Sequence, residues 1–163
     1  MKCNLVKQYF LCFLLAFSFS GCDDNYYSSI PDVPVYIKLN LTAAHTAFKN
    51  SSNQFLLFEK NGVYNDLIGG LGYGGVLVYS GLSLDDSGNM VYYAFDMSCP
   101  YEADKDIKVY PKEDGFGEVV CEKCGSIYNL GYGFGNPTSG PSTESLKRYK
   151  AKTSGYDYLI ITR

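Results

Sequence analysis

Apolar and polar residues alternate along several short stretches of this chain. The clearest stretch is Val35–Leu41, in which Val, Ile and Leu occupy every second position and Tyr, Lys and Asn lie between them. A period of two places successive side chains on opposite faces of a β-strand, so the pattern predicts a strand with one buried face. Short runs rich in β-branched and aromatic residues predict further strands at Gly75–Tyr79, Met90–Phe95, Glu118–Cys121, Ile127–Asn129, Arg148–Lys152 and Tyr156–Thr162.

Turn-forming residues separate these stretches at Asn61-Gly62, Asp86–Asn89 and Lys112–Gly115. Helical periodicity is scarce, and only a short helical turn is expected, around Thr42–Phe48. The glycine-rich segment Gly69–Gly75 is expected to be a flexible turn before a strand, because no helix pattern follows it as a phosphate-binding loop requires. The sequence therefore predicts an all-β fold, an antiparallel β sandwich.

The first residues have the features of a secretory signal. Lys2 and Lys7 provide positive charge, and Tyr9–Phe19 is an apolar run too short to span a bilayer. The run ends at Phe19-Ser20-Gly21-Cys22, which resembles a bacterial lipobox, with Phe in place of the usual Leu. An ordinary secretory signal with a chance cysteine is the alternative. We expect residues 1–21 to be the signal peptide, residues 22–30 a lipidated tether and residues 31–163 one domain.

Lipidation of Cys22 implies a location in the cell envelope, attached to a membrane without spanning it. Asp23 and Asp24 follow, and they resemble the export signal of surface lipoproteins of Bacteroidota; a solvated tether is the alternative explanation. The expected location is the outer membrane, on either its periplasmic or its surface face.

Charge limits the classes of partner. Loss of residues 1–21 leaves 12 basic and 17 acidic side chains, a net charge near −5. Nucleic-acid binding requires a basic surface, so nucleic acid is not expected as a partner. The expected partners are the membrane, through the lipid, and a redox or envelope protein whose identity the sequence does not give.

Cysteine is the most informative residue type. Cys3 and Cys12 belong to the signal peptide, and Cys22 is the lipidation site. Three cysteines remain: Cys99, Cys121 and Cys124. Three is an odd number in an exported protein, which leaves either one disulfide with a spare thiol or a metal centre.

These cysteines lie in two motifs. The first is Cys99-Pro100-Tyr101, and the second is Cys121-Glu122-Lys123-Cys124-Gly125-Ser126-Ile127-Tyr128; Gly140-Pro141 follows. In order and spacing the motifs resemble those of a Rieske iron–sulfur domain, which are Cys-x-His, Cys-x-x-His-Gly-Ser-x-Tyr and a Gly-Pro loop over the cluster. The resemblance implies a Rieske-like sandwich with a small two-loop cluster-binding subdomain over residues 93–142.

The resemblance assigns roles to individual residues. Cys99 and Cys121 correspond to the two cysteine ligands of a [2Fe–2S] cluster. Ser126 and Tyr128 correspond to the hydroxyl groups that donate hydrogen bonds to cluster sulfur and to a ligand thiolate, and such donors raise the reduction potential. Together they imply an electron-transfer centre at the cell envelope. A stand-alone catalyst is not expected, because the chain has one histidine and no His/Asp/Ser or paired-carboxylate motif.

Both histidine ligands of the family are replaced. Tyr101 occupies the first position and Cys124 the second, so a standard Rieske centre is excluded. A cluster with altered ligands would bind Cys124 thiolate and Tyr101 phenolate. The added negative charge would lower its potential below the Rieske range.

Two alternatives to a cluster remain open. Three thiolates favour zinc, although a fourth ligand is not evident: the lone His45 is far upstream and is expected to be a surface or satisfied polar residue, and Asp96 is expected to hold a loop or strand end. In the other alternative Cys99 forms a disulfide with Cys121 or Cys124, and the domain is a metal-free binding or structural module.

Overall fold

The structure, a computed structural model, describes residues 28–163 as an all-β domain, as predicted. The predicted signal peptide and Cys22 lie outside the described residues. One short helix, α1 (Thr46–Asn50), accompanies eleven described strands. The strands are β1 (Val35–Asn40), β2 (Phe55–Phe58), β3 (Leu67–Leu71), β4 (Val76–Leu84), β5 (Met90–Asp96), β6 (Val109–Pro111), β7 (Glu118–Cys121), β8 (Ile127–Asn129), β9 (Asn136–Ser139), β10 (Arg148–Ser154) and β11 (Tyr158–Thr162).

The strands form two antiparallel sheets. The larger has seven strands in the order β2-β4-β5-β10-β11-β1-β3, and the smaller has four in the order β6-β7-β8-β9. Strand β10 joins the halves of the larger sheet: Arg148 and Tyr149 pair with β5, whereas Lys150–Ser154 pair with β11. Because β10 changes partner along its length, the larger sheet curls around one of its faces.

The curled sheet encloses a first hydrophobic core. Val35, Ile37 and Leu39 of β1 are buried there, as the alternation of the sequence predicts. Strands β4, β5, β10 and β11 contribute to the same core, and Phe48 of α1 covers one end.

A second core lies on the other side of β4. Val76 and Val78 point into the first core, whereas Leu77 and Tyr79 point into the second. The small sheet packs here, through residues such as Val119 of β7. The three predicted site cysteines adjoin this second core, so the contact between the two sheets positions them.

Some elements differ from the sequence prediction. Gly69 and Gly70 belong to β3, so the expected flexible turn begins only at Gly72. Glycine is required at Gly70, because a side chain would meet the Pro34 carbonyl oxygen at 2.6 Å. The helix begins at Thr46, not Thr42, because the Asn40 side chain accepts hydrogen bonds from the backbone of Thr42 and Ala43 and forms a turn there.

Within residues 28–163, no helix has the length and apolar character needed to cross a membrane.

Candidate metal centre

Three cysteine sulfurs converge where the two sheets meet. The Sγ atoms of Cys99, Cys121 and Cys124 all lie within 4.8 Å of one another, and Cys99 Sγ is 3.7 Å from Cys124 Sγ. Cys99 follows β5, Cys121 ends β7, and Cys124 lies in the turn between β7 and β8. The expectation that the two cysteine loops meet is therefore confirmed.

The first loop is held by backbone pairing and by a buried carboxylate. The Cys99 amide donates to the Ile107 carbonyl at 3.0 Å, and Ala103 N donates back to the Cys99 carbonyl at 2.9 Å. Asp96, which is fully buried, accepts a 2.8 Å hydrogen bond from Ser98 N. Asp96 therefore fixes the loop at the strand end, as the sequence predicts.

The second loop is a tight turn between Cys121 and Ser126. Gly125 N donates to the Cys121 carbonyl at 2.8 Å, and Cys121 N donates to the Ser126 carbonyl at 2.9 Å. Gly125 has φ +73°, a left-handed conformation that favours glycine. This turn therefore brings the Cys121 and Cys124 thiols together, with their sulfurs within 4.8 Å.

The Gly140 loop covers the second loop. Ser142 N donates a 3.1 Å hydrogen bond to Ser126 Oγ. A side chain at Gly140 would lie 2.5 Å from Ser126 Cα, so only glycine permits this close approach. The resemblance to a Rieske domain implies a covering loop at this position.

Two buried hydroxyl groups contact the sulfurs. Ser126 Oγ is 3.1 Å from Cys124 Sγ, and Tyr128 Oη is 3.3 Å from Cys99 Sγ. Both residues are fully buried. A hydroxyl group donates to a thiolate and accepts from a thiol, so each can stabilise the sulfur in its ionised state.

The thiols differ in their ease of ionisation. Burial raises the pKa of the Cys121 thiol to about 12, and the amides of Cys124 and Lys123 only partly offset this effect. Burial also raises the pKa of Cys124, but hydrogen bonds from the Ser126 hydroxyl and amide outweigh it, with smaller contributions from the other two thiols, and the net shift is downward. Cys124 is also the least buried of the three. Cys124 is therefore better placed to ionise than Cys121.

The sequence also singled out Tyr101 and His45. Tyr101 lies in the Cys99 loop with 56% of its surface exposed, and its hydroxyl makes no hydrogen bond within residues 28–163. His45 is a satisfied polar residue, as expected, because its Nε2 lies 2.8 Å from Asp66 Oδ2.

The N-terminal segment of the described chain also contacts the site, which the sequence did not predict. Ser29 Oγ donates to the Pro100 carbonyl at 2.9 Å, and Ser29 N and Ser28 Oγ donate to Glu144 Oε1. Ile30 is buried. Residues 28–30, assigned to the tether from the sequence, therefore pack against the domain and connect the first loop to the segment after the covering loop.

The donor set suits a thiophilic metal ion. The 3.7 Å separation of the Cys99 and Cys124 sulfurs matches the edge of a tetrahedral thiolate site, for which a metal–sulfur distance of about 2.3 Å implies about 3.8 Å between sulfurs. Ligands on opposite irons of a [2Fe–2S] cluster lie further apart, because both irons and the bridging sulfides separate them. The spacing thus fits a single ion more closely than it fits a cluster.

No protein-family model matches this chain, and comparisons with curated proteins and with solved structures found no match. The Rieske resemblance therefore rests on the sequence motifs alone.

Proposed function

We propose that this chain is a lipid-anchored protein of the bacterial cell envelope that binds one thiophilic metal ion through Cys99, Cys121 and Cys124. The observation that carries the proposal is the convergence of three sulfurs within 4.8 Å from two loops that are distant in sequence. Zinc and iron both accept such thiolate ligands. The ion would join the loop after β5 to the turn between β7 and β8 and would hold the small sheet on the large one.

The fourth ligand of the ion would come from a group other than these three cysteines. Tyr101, two residues after Cys99, is the candidate from the chain itself, and water is the candidate from solvent. The partial exposure of Cys124 supports access of water to the ion, and the Tyr101 side chain is also exposed.

A [2Fe–2S] centre that transfers electrons is the second candidate, favoured by the hydroxyl groups of Ser126 and Tyr128. A purely structural zinc site has no need of hydroxyl donors at its sulfurs, whereas such donors tune the potential of an iron centre. In this case Cys99 and Cys121 would bind one iron, and Cys124 with Tyr101 would bind the other.

Metal analysis of the mature chain without its lipid, residues 23–163, tests both candidates. The protein is purified without oxygen, and zinc, iron and acid-labile sulfide are measured per chain. One zinc or one iron without sulfide is the expected result. Two irons with two sulfides and visible colour would replace the single-ion proposal with the cluster.

A metal-free protein in which mass spectrometry finds a disulfide between two of the three cysteines would overturn both candidates. The 3.7 Å separation of the Cys99 and Cys124 sulfurs makes that pair the first to examine. Cys99→Ser should abolish metal binding, whereas Tyr101→Phe should retain the ion and change only its affinity. The Tyr101 variant keeps the ring and removes only the candidate ligand atom.

The lipid anchor is tested separately. Cys22→Ser should release the protein from the membrane fraction, and the mass of the wild-type N-terminal peptide should include the acyl chains. Unchanged membrane association of the variant would overturn the anchor and leave the metal site untouched.

A further inference from the structure

A positively charged surface covers the outer side of β1, β11 and β10. These three strands contain no acidic residue, although the whole chain is net negative. Their outward positions carry four cationic side chains. We call this surface the basic face: Lys38, Arg148, Lys150 and Lys152.

Strand register and alternation place these four cations on one side of the sheet. Lys150 pairs with Thr162, and Lys152 pairs with Ile160; Ile160 in turn pairs with Lys38. Along β10 the side chains of Arg148, Lys150 and Lys152 are exposed, whereas the intervening Tyr149 is buried. Alternate residues of a strand are about 7 Å apart, so the basic face is a regular array of charge.

Most of this charge has no partner within the described chain. None of the four cations forms an ion pair within residues 28–163, whereas Arg163, after β11, is 3.3 Å from Asp32. Lys38 Nζ lies 4.1 Å from the centre of the Tyr158 ring, and the Arg148 guanidinium lies 5.5 Å from that of Tyr93. The basic face is therefore available to an external anion.

Tyrosine rings accompany the cations. Tyr36 and Tyr158 lie on the same face and are 39% and 36% exposed. Their registers place Tyr36 opposite Thr162 and Tyr158 opposite Asn40. Tyrosine is enriched at membrane interfaces, where the ring lies among the headgroups and the hydroxyl meets water.

The N-terminal segment leads to this face. Lys147 Nζ donates to the Ile30 carbonyl at 2.9 Å and pairs with Asp32, and Asp32 also pairs with Arg163. The six-residue step from Cys22 to Ser28 reaches at most about 21 Å when extended. A lipid on Cys22 would therefore keep Ser28, beside Glu144, within about that distance of the bilayer, and the basic face begins at Arg148, four residues after Glu144.

We propose that the basic face docks on the anionic phospholipid headgroups of the membrane that holds the Cys22 lipid. This proposal rests on the lipid anchor of the proposed function and is independent of the metal site. Charge complementarity and the length of the tether both indicate a membrane surface as the occupant. Docking would supply a second attachment beside the acyl chains and fix the orientation of the domain on the bilayer.

Vesicle co-sedimentation tests the proposal with the mature chain that lacks its lipid, residues 23–163. Vesicles of equimolar phosphatidylglycerol and phosphatidylcholine should bind the protein at low salt, and vesicles of phosphatidylcholine alone should not. The double variant Lys150→Gln/Lys152→Gln should bind about 30-fold more weakly. Lys60→Gln/Lys105→Gln changes the net charge equally at exposed positions outside the basic face and should bind like the wild type.

Equal loss of binding in both double variants would overturn the proposal, because it would show a dependence on net charge alone. Absence of wild-type binding to anionic vesicles, or binding to an acidic polysaccharide without binding to vesicles, would also overturn it. Circular dichroism and thermal melting of each variant establish that the fold is retained. Cys22→Ser fractionation reports on the anchor alone, so failure of the anchor is distinguished from failure of docking.

Discussion

The Tyr149 hydroxyl donates a 2.6 Å hydrogen bond to Asp96 Oδ2 in the interior of the domain. Tyr149 belongs to β10, and Asp96 ends β5, three residues before Cys99. The same carboxylate accepts hydrogen bonds from the amides of Tyr73, Gly74 and Ser98. One buried carboxylate therefore joins two strands, the Gly72–Gly75 turn and the first cysteine loop.

Asp96→Asn should lower the free energy of unfolding by about 3 kcal/mol, because the amide nitrogen of Asn would face backbone donors that now meet carboxylate oxygens. Urea denaturation of both proteins measures this change. Tyr149→Phe removes one of the four hydrogen-bond donors to Asp96 and should lower the free energy of unfolding by about 1.5 kcal/mol. Asp86→Asn, in an exposed turn, serves as the matched control. An equal decrease in its free energy of unfolding would contradict the role assigned to Asp96.

Stability should fall at high pH because of buried tyrosines. Burial, followed by the neighbouring Asp96 carboxylate, raises the pKa of Tyr149 far above its ordinary value of 10.0. Burial also raises the pKa of Tyr92 and, with a smaller effect of Tyr93, that of Tyr79. The folded state then holds protons that the unfolded state releases, so stability is complete below pH 10 and decreases as the pH rises above it.

Urea denaturation at a series of alkaline pH values measures this decrease, and near-ultraviolet absorbance follows phenolate formation. Tyr149→Phe should flatten the alkaline slope. Tyr132→Phe should leave the slope unchanged, because the Tyr132 side chain is 80% exposed. Equal alkaline slopes in wild type and Tyr149→Phe would show that Tyr149 does not carry the effect.

Close contact of the covering loop should make Gly140 intolerant of substitution. Gly140 has φ +88°, and an added Cβ would lie 2.8 Å from Ser126 N as well as close to Ser126 Cα. Gly88 has φ +79°, and nothing lies within 4 Å of its added Cβ, so Gly88→Ala carries the backbone cost alone. Gly140→Ala should therefore lower the free energy of unfolding by about 2 kcal/mol more than Gly88→Ala does. Chemical denaturation of both variants gives the comparison, and equal losses would exclude a steric role for Gly140.

Alkylation of the reduced, metal-free protein should modify Cys124 before Cys121. Cys124 is partly exposed and its pKa is lowered, after opposing burial, by hydrogen bonds from Ser126, whereas burial raises the pKa of Cys121. Peptide mass spectrometry at short reaction times establishes the order. Ser126→Ala should slow the reaction of Cys124, and faster modification of Cys121 than of Cys124 would refute the prediction.

Local patterns in the sequence were sufficient for the fold class and for several elements. Strands β7 and β8 agree with the predicted bounds at both ends, because each is a short run of β-forming residues beside a turn. Strands β2, β3, β6 and β9 were not predicted. Phe55–Phe58 (β2) has no alternation of apolar and polar residues, and Asn136–Ser139 (β9) contains Pro137 within a glycine-rich passage. Pairing with neighbouring strands therefore determines that both segments form strands.

The sequence by itself determined an all-β chain and two motifs that contain Cys99, Cys121 and Cys124 with hydroxyl residues at set spacing. Each of these depends on residue type and local order alone. Only the tertiary structure decided that the three sulfurs meet within 4.8 Å, that Asp96 is bonded by Tyr149, and that the cations of β10 and Lys38 share one face. These relationships depend on strand register and sheet packing, which join residues distant along the chain and leave no local pattern.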